Sequence, residues 1–416
     1  MSERLSHWLT FGMSAFDTPG FHDTSRWMTS AAPVPRAYVE PSPPYSAWRG
    51  LQTPVLRWRS RRSRETWVLT PPLPIPGRID VANWGIQLQA RALERTLEAE
   101  WGRDWRRTTL VYLTNWSYAV EPLVSSLAPE YLVLDLVDDV LSFPYRLPRQ
   151  RVLERWRRIS RRASAVIAVS PALQAWSEAH LGRPAHLLPN GVDAGHFAAH
   201  AELPNLPSAT CGGIRVGFAG TLNHWIDYPA LLSLMEQLPD TELYLMGCRG
   251  HIGDPELEDA LHSLQAHPRV HVLGPVPYER LPAYLHAMDI LILPRIPSPA
   301  SAASNPLKLG EYLAVGKPPV VSGVPVPPPL GGLVYEAAPN TGLAEAVRRA
   351  WAEVKGEAPS RRAERQAFAR QHTWQARVQE VVALAETGGS HPPMLPRVST
   401  GRVTTGSIGL SQGISV

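Results

Sequence analysis

The sequence has few cysteines and no long apolar run. Its 416 residues include two cysteines, Cys211 and Cys248, whose spacing gives neither a metal-ligand pair nor a disulfide framework. We therefore expect a chain of the reducing cytosol. No stretch approaches the ~18 consecutive apolar residues of a membrane-spanning helix. The start, MSERLSHWLTFGM, lacks the apolar core of a signal peptide. These absences argue against an integral membrane protein and favour a cytoplasmic one.

A strong excess of charge is also lacking. The 41 Lys and Arg residues face 37 Asp and Glu residues, which leaves a formal net charge of +4. No RNA- or DNA-binding module accompanies this balance, so nucleic acid is not an expected partner. Hydrophobic residues make up 44% of the chain and charged residues 19%, which is typical of a soluble globular enzyme. The length suffices for two domains, each with its own core.

Short β-rich runs alternate with helical patterns, an order that predicts βαβ units and parallel sheets. In the first half, the predicted strands are 8–13, 36–40, 65–70, 108–114, 131–137, 165–170 and 185–191. After a break, the predicted strands are 214–220, 241–247, 269–274, 289–294 and 318–323. The sequence therefore predicts an α/β protein with two doubly wound, Rossmann-like domains that face a cleft.

The composition also predicts where these units begin and end. We expect the domains at 1–198 and 214–370, joined by a linker at 199–213 that is rich in small residues and proline. A helix at 371–386 follows, which could return to the first domain, and the Gly/Ser/Thr-rich tail at 387–416 is predicted to be disordered. Ligands of such sheets bind outside the carboxyl ends of the strands.

The stretch SNPLKLGEYLAVGK carries an unusual cation. We expect Asn305 to be the N-cap of a helix, Pro306 its first residue and Gly316 its end. Lys308 then lies in the first turn, where the helix start is already positive. A phosphate or diphosphate between them would remove this conflict. Glu311, on the same face, could accept hydrogen bonds from the hydroxyls of a ribose. An ordinary i,i+3 ion pair is an equally good interpretation.

A second candidate site is GFAGTLNHW, at the end of the first strand of the second unit. In this small-residue turn, Gly220, Thr221 and Leu222 would offer N–H groups to a phosphate or sugar. His224 lies beside the turn and is a further candidate. The alternative is an ordinary βα turn, because a lone Gly-x-x-Gly is a weak signal.

A third candidate is LDLVDDVLSFP, an apolar strand that ends in Asp138 and Asp139. Adjacent carboxylates repel each other, which can raise the pKa of one of them towards the range of a general base. The alternative is that Asp139 caps a turn and Asp138 is solvated. Asp135 and Asp138 are three residues apart, so a metal-binding Asp-x-Asp is absent, and we expect no metal.

Two further motifs are structural or basic. Ser170 is expected to cap a helix that opens at Pro171, and Asn190–Gly191 is expected to form a tight turn. Eight arginines are concentrated between Arg146 and Arg162, where a helix would place Val152, Trp156 and Ile159 on the opposite face. This basic helix is either a solvated surface or a contact for anionic lipid headgroups.

Taken together, five motifs resemble GT-B glycosyltransferases of the group 1 / family 4 superfamily. These motifs are AVIAVSPAL, LLPNGVDAGHF, IRVGFAGTL, RVHVLGPVPYERLPAYLHAMDILILP and NPLKLGEYLAVGKPPVV. Within that superfamily, LDLVDDVLSFP and SNPLKLGEYLA are similar to the branch of teichuronic acid biosynthesis and xanthan glucuronosyl-type transferases. The resemblance is most specific over residues 130–325.

This resemblance implies roles for the residues above. A nucleotide sugar, with UDP as the expected nucleotide, would bind mainly to the second domain without an obligatory metal or cofactor. The donor would lie on the helix start at Asn305, Pro306, Leu307 and Lys308, with its ribose on Glu311. The segment around Val276 and Arg295 would border the base. Asp138, or alternatively Asp139, would act as the catalytic base.

The resemblance also implies an acceptor, a saccharide or lipid-linked hydroxyl of the cell envelope, and a peripheral position at the inner face of the membrane. Two departures from the family leave the stereochemistry open. Ala303 stands where many members have a glutamate, and the usual basic residue in the first turn of the second domain is absent. An Asp base favours inversion. A nucleotide-sugar epimerase and a non-catalytic nucleotide-sugar-binding protein remain alternatives.

Overall fold

A computed structural model describes the chain at residues 4–18, 23–41, 58–72, 84–114, 119–139, 149–199, 202–208, 213–327, 330–338, 342–356 and 359–389. The expected linker is described only in part, and the expected tail lies outside the described residues from position 390 onward.

The described residues contain two sets of strands separated by helices. The strands are β1 His7–Phe11, β2 Arg36–Val39, β3 Arg59–Ser63, β4 Thr66–Thr70, β5 Thr109–Leu113, β6 Tyr131–Leu136, β7 Ala165–Ala168, β8 His186–Leu187, β9 Ile214–Ala219, β10 Thr241–Met246, β11 Val270–Gly274, β12 Ile290–Pro294, β13 Pro319–Ser322 and β14 Tyr335–Glu336. The helices are α1 Thr24–Ala31, α2 Trp84–Trp101, α3 Trp105–Thr108, α4 Val120–Leu127, α5 Arg149–Arg162, α6 Pro171–Trp176, α7 Ala194–Ala198, α8 Tyr228–Gln237, α9 Pro255–Ala266, α10 Leu281–His286, α11 Pro299–Ala303, α12 Leu307–Val315, α13 Gly342–Lys355, α14 Pro359–Gln371 and α15 Trp374–Glu386.

The strands form two sheets with the same winding. The first sheet has the order β3-β4-β2-β1-β5-β6-β7-β8, and the second has the order β11-β10-β9-β12-β13-β14. Every strand pair is parallel except β3 with β4, which is antiparallel. In each sheet the chain starts in the middle, winds to one edge and then returns to fill the other. This is the doubly wound order, and the predicted fold class is confirmed.

Both faces of the first sheet are covered, as a parallel sheet requires. On β5, Leu110 and Tyr112 belong to one hydrophobic cluster, while Val111 and Leu113 belong to another on the opposite face. This alternation follows from the two-residue period of a strand. The second sheet has a single large cluster of its own.

The twelve predicted strands are all found, and β3 and β14 are additions. β3 has the sequence RSRRS, and four of its five residues are exposed. It therefore shows no apolar alternation from which a strand could be predicted, and its arginines suit an edge position. β14 has only two residues.

The C-terminal helix α15 packs on the first sheet rather than on the second. Trp374, Val378 and Val381 lie in the same hydrophobic cluster as residues of β5 and β6. The chain reaches this position beside Val192, whose N–H donates to the carbonyl of His372 at 3.0 Å.

No turn is assigned to Asn190–Gly191 in the structure, where we expected a tight one. A Cβ on Gly191 would lie 2.8 Å from the backbone of Trp374, so the close approach of the two segments explains the glycine.

A buried ion pair anchors α15. Arg377 donates to the Asp135 carboxylate of β6 at 2.5 Å, and the two side chains are 2% and 0% exposed. Tyr112 also donates to this carboxylate, and Arg377 donates to the carbonyls of Leu188 and Pro189. Asp135 and Arg377 are 242 positions apart, so one interaction joins distant parts of the chain.

The end of α11 is also bonded to the first domain. Ser170 caps α6, as expected, by accepting the N–H of Leu173. Its hydroxyl also donates to the carbonyl of Ala303, at the end of α11, at 2.6 Å. Ala303 itself is buried in a hydrophobic cluster of the first domain.

We predict that Arg377→Met lowers the free energy of unfolding by about 3–5 kcal/mol, because it leaves the buried Asp135 carboxylate without its cation. Urea-induced unfolding measures this, with Arg370→Met, an exposed arginine of α14, as the matched control. Adding Asp135→Asn to Arg377→Met should recover part of the loss. Equal stabilities of the Arg377 and Arg370 variants would contradict the anchoring role.

Candidate functional site

The strand order of the second sheet defines where a ligand can bind. β9 and β12 are neighbours, and the chain leaves them towards opposite edges of the sheet, which opens a crevice at their carboxyl ends. The turn after β9 begins at Gly220, and the segment after β12 begins at Arg295. In the first sheet, Asp138 and Asp139 follow the carboxyl end of β6. Every predicted site is therefore at a strand or helix end.

The turn after β9 is folded onto the end of β10. The N–H groups of Gly220 and Leu222 donate to the carbonyls of Met246 and Cys248 at 2.8 and 2.9 Å. The expectation that these two N–H groups face a phosphate is therefore wrong, because the neighbouring strand end already uses them. Thr221 is exposed, and its N–H donates to no backbone carbonyl among the described residues. Of the three candidates in the turn, it is the one available to a ligand.

His224 lies on the exposed part of the same loop. Its ring Nδ1 is 3.4 Å from the carbonyl of His251, and the ring meets that of Trp225 at 4.7 Å in an edge-to-face arrangement. The loop therefore holds the His224 ring in place beside the turn.

The residues before α12 fasten this helix to the first domain. Asn305 is not the N-cap that we expected. Its side-chain oxygen accepts the N–H of Asn190 at 2.8 Å, and its carbonyl accepts the Asn190 side-chain amide at 2.7 Å. Pro306 occupies the N-cap position, and Leu307 is the first helical residue and packs against the first domain. The start of α12 has no side-chain cap. The Leu309 N–H donates to the Pro306 carbonyl at 3.1 Å, so the N–H groups of Leu307 and Lys308 are the ones that could meet an anion.

Lys308 and Glu311 form an ion pair on the first turn of α12. The Lys308 Nζ is 2.9 Å from the Glu311 Oε2, and the two side chains are 30% and 11% exposed. Lys308 is the second helical residue, one position earlier than expected, because the helix begins at Leu307. The pair fits both interpretations of this motif. The uncapped helix start beside it favours an anionic ligand.

Tyr312 positions this pair, although the sequence analysis did not single it out. Its hydroxyl accepts the N–H of Ala219 at 3.0 Å and donates to the carbonyl of Ile292 at 3.4 Å. It thus joins α12 to the end of β9 and to the middle of β12. A tyrosine in an apolar helix face is an ordinary core residue in sequence, so only the fold reveals this role.

Asp138 is a half-buried carboxylate whose pKa is raised to about 6. Burial is the largest cause, the guanidinium of Arg295 lowers the pKa, and the carboxylate of Asp139 raises it. The expected repulsion between the two aspartates is therefore present, but it is a smaller effect than burial. Because Asp138 belongs to the first domain and Arg295 to the second, this electrostatic contact joins the two sides of the cleft.

That the segment around Val276 and Arg295 borders the base stays a prediction. Val276 follows β11, Arg295 follows β12, and β10 and β9 lie between these strands. The two strands are therefore three strand spacings, about 14 Å, apart. Val276 is close in sequence to Tyr278, whose pKa is raised by burial and then by the nearby Glu311 carboxylate. Val276 is thus on the Glu311 side of the site, and Arg295 is on the Asp138 side.

The basic helix α5 has the amphipathic arrangement that we expected. Val152, Trp156 and Ile159 are buried. Part of its arginine face is directed at α4, since Arg158 pairs with Glu121 at 3.2 Å. The residues between Arg146 and the start of α5 lie outside the described residues.

One cavity lies at the domain junction and another lies within the second domain. The first, of about 410 Å³, is lined by Leu309 and Leu313, whereas Lys308 and Glu311 do not line it. It is also lined by Asn305, Pro306 and Leu307, so it lies on a different face of α12 from the ion pair. The other, of about 670 Å³, is lined by Arg295 and Ser322 at the carboxyl ends of β12 and β13.

Neither metal ligands nor a spanning helix are found in the described part of the chain. No group of three or more His, Cys, Asp and Glu side chains there could hold a metal ion. No helix in the described ranges is long and apolar enough to cross a membrane.

Comparison with known families and proteins agrees with the expected resemblance. Residues 213–353 match the model of the family "Glycosyl transferases group 1". The chain is 31% identical over 218 residues to the Bacillus subtilis (strain 168) protein "Putative teichuronic acid biosynthesis glycosyltransferase TuaH". This match covers 49% of the chain and 53% of that protein, so the chain spans about half the length of the curated relative it matches.

Solved structures share the fold over almost the whole chain. Sucrose-phosphate synthase from Thermosynechococcus elongatus has a TM-score of 0.62 at 16% identity, covering 92% of this chain and 98% of its own. Anabaena HepE in complex with UDP-glucose has a TM-score of 0.61 at 16% identity, covering 92% and 99%. The expected GT-B fold is confirmed, and the second domain is similar to the group 1 glycosyl transferase family.

We predict that Asp139→Asn lowers the pKa of Asp138 from about 6, because it removes a negative charge that raises this pKa. NMR titration of protein labelled with ¹³C at aspartate carboxyls measures the shift. Asp240→Asn, which changes an exposed aspartate before β10, is the control and should leave the titration unchanged. If the Asp138 titration is the same in both variants, the electrostatic account of this carboxylate is wrong.

Proposed function

We propose that the chain is a glycosyltransferase that moves a sugar from a nucleoside diphosphate sugar to a hydroxyl of its acceptor. The observation that carries the proposal is the pairing of Lys308 and Glu311 on the uncapped first turn of α12. A cation near the positive start of a helix is unfavourable by itself. A diphosphate that lies between the cation and the helix start is attracted to both, which makes the arrangement favourable. The family match over the same domain supports this assignment.

The donor lies across the carboxyl edge of the second sheet in this proposal. Its base is on the side of Val276 and Tyr278, its ribose hydroxyls donate to Glu311, and its diphosphate meets Lys308 and the N–H of Thr221. The transferred sugar then extends towards Arg295 and Asp138. The electrostatic effect of Glu311 on the pKa of Tyr278 supports this order, because it indicates that the proposed ribose-binding carboxylate is near the expected base pocket. UDP is the proposed nucleotide, by analogy with HepE.

Asp138 is the proposed general base. It takes the proton of the acceptor hydroxyl while that oxygen forms a bond to the anomeric carbon. The bond from this carbon to the diphosphate oxygen breaks, and its electron pair leaves with the diphosphate. Lys308 and the start of α12 stabilise the charge of the departing group, so the donor is a co-substrate and no cofactor takes part. Direct attack of this kind inverts the configuration at the anomeric carbon.

The acceptor is proposed to bind to the first domain, as a saccharide or lipid-linked hydroxyl of the cell envelope. The name of the Bacillus subtilis relative supports this class of acceptor. In a cytoplasmic enzyme of this kind, the exposed arginines of α5, such as Arg149, Arg151 and Arg161, are the proposed contact with an anionic membrane surface.

We predict that Lys308→Ala weakens UDP binding by about 10- to 100-fold, because a hydrogen bond to a charged group contributes about 1.5–3 kcal/mol. Isothermal titration calorimetry measures the affinity. The chain has three lysines, Lys308, Lys317 and Lys355, and Lys355→Ala, at the exposed end of α13, is the matched control. Glu311→Ala should weaken UDP binding as well. If both α12 variants bind UDP as well as the Lys355 variant does, the donor site is not at this helix.

We predict that Asp138→Asn abolishes sugar transfer while nucleotide binding is retained, because the amide cannot accept the proton. In the unaltered enzyme, the rate should fall as the pH drops below about 6, where the Asp138 carboxylate becomes protonated. Sugar transfer and UDP binding are measured on the same preparations. Unchanged transfer by Asp138→Asn would contradict the assignment of the base. Conversion of a nucleotide sugar without any acceptor would indicate an epimerase.

A further inference from the structure

Arg295 occupies the place where the two domains face each other. It follows β12, next to the turn that follows β9, at the point where the strand order of the second sheet reverses. Its backbone N–H donates to the carbonyl of Ser322 at 3.1 Å, which fixes the segment to the end of β13. Its guanidinium is close enough to Asp138 to lower the pKa of that carboxyl.

The guanidinium of Arg295 is poorly satisfied by the protein itself. Its carbon lies 5.1 Å from the centre of the Trp225 ring, a cation–π contact. Its Nε is shielded from solvent and makes no hydrogen bond, and no other side-chain hydrogen bond or ion pair of Arg295 is found among the described residues. Burial lowers the pKa of Arg295 to about 10, while Asp138 raises it. A desolvated cation with unused N–H groups is costly unless an anion meets it.

The loop after β9 lacks a basic residue, and Arg295 can supply the missing positive charge. The loop after β9, from Gly220 to Trp225, contains no lysine or arginine. Lys308 is one cation for a diphosphate that carries more than one negative charge. The strand before Arg295 is three strand spacings, ~14 Å, from the strand before Val276. In the proposed donor orientation, the interaction of Arg295 with Asp138 sets it at the sugar end of the donor.

We infer that Arg295 binds a second oxyanion of the donor, beyond the one that Lys308 meets. The inference rests on the proposed function and adds a determinant of donor specificity. The planar guanidinium can bind two oxygens of one anion at once. That oxyanion is either the sugar-side phosphate of the diphosphate or a carboxylate on the transferred sugar. The same guanidinium chemistry serves both, and the experiment below distinguishes them.

Binding of this oxyanion would also act on Asp138. In the free enzyme, the positive charge of Arg295 lowers the pKa of Asp138. A donor oxyanion on the guanidinium compensates that charge, so the pKa of Asp138 rises and the carboxylate becomes a stronger base when the donor is present. The groups that face Asp138 in this argument are Arg295 and Asp139. Arg295 would therefore couple the arrival of the donor to activation of the base.

The test is calorimetric titration of the full chain with UDP, UDP-glucose and UDP-glucuronate. The variants are Arg295→Gln, Arg295→Lys and, as the matched control, Arg348→Gln, which changes an exposed arginine of α13. A loss of about tenfold or more for all three ligands in Arg295→Gln identifies the phosphate as the oxyanion. A loss confined to UDP-glucuronate identifies a sugar carboxylate. In both cases Arg295→Lys should recover part of the affinity, because it keeps the charge but not the two-pronged geometry.

Two results would overturn the inference, and they differ in what they leave standing. If Arg295→Gln binds all three ligands like the Arg348 control, while Lys308→Ala still loses affinity, the role of Arg295 is wrong and the donor site on α12 is retained. If the unaltered protein binds none of the three ligands, the proposed function fails together with this inference.

Discussion

The buried pair of Asp135 and Arg377 is the interaction on which the arrangement of the cleft depends. It joins β6 to the C-terminal helix at 2.5 Å in a region without water access. Asp138 lies three residues after Asp135, just beyond the carboxyl end of the same strand. Arg377 also donates to the carbonyls of Leu188 and Pro189. The next residue, Asn190, donates its N–H to the side chain of Asn305, just before α12. One guanidinium therefore fixes the strand of the proposed base and the segment that steadies the proposed donor helix.

The charges of the cleft follow from this arrangement. The second domain contributes an uncapped helix start, Lys308 and Arg295, all of which favour an anion. The first domain contributes Asp138, and burial raises the pKa of this carboxyl to about 6, towards the range of a general base. A donor with a negatively charged leaving group fits the positive side, and a hydroxyl that must lose a proton fits the negative side. The proposed glycosyl transfer would use both sides, the positive one for the leaving group and Asp138 for the proton.

The sequence predicted the fold well because its signals were local. Apolar runs of strand length separated by helical patterns indicated the twelve predicted strands, whereas the exposed, arginine-rich β3 offered no such pattern. The helix that carries Lys308 could be predicted, but its cap could not, because Asn305 is engaged by a residue 115 positions away. The separation of Val276 from Arg295 depends on strand order, which the sequence does not state. Nothing local in the sequence distinguishes Arg377 from the many other arginines of the chain.

The most direct test of the account is a crystal structure of the protein with UDP bound. The account predicts that the diphosphate lies at the start of α12 in contact with the Lys308 ammonium, and that the ribose hydroxyls are within hydrogen-bond distance of Glu311. Lys308 should then have exchanged its contact with Glu311 for the phosphate. A nucleotide bound elsewhere, with the Lys308–Glu311 pair still intact at the surface of α12, would contradict the central claim.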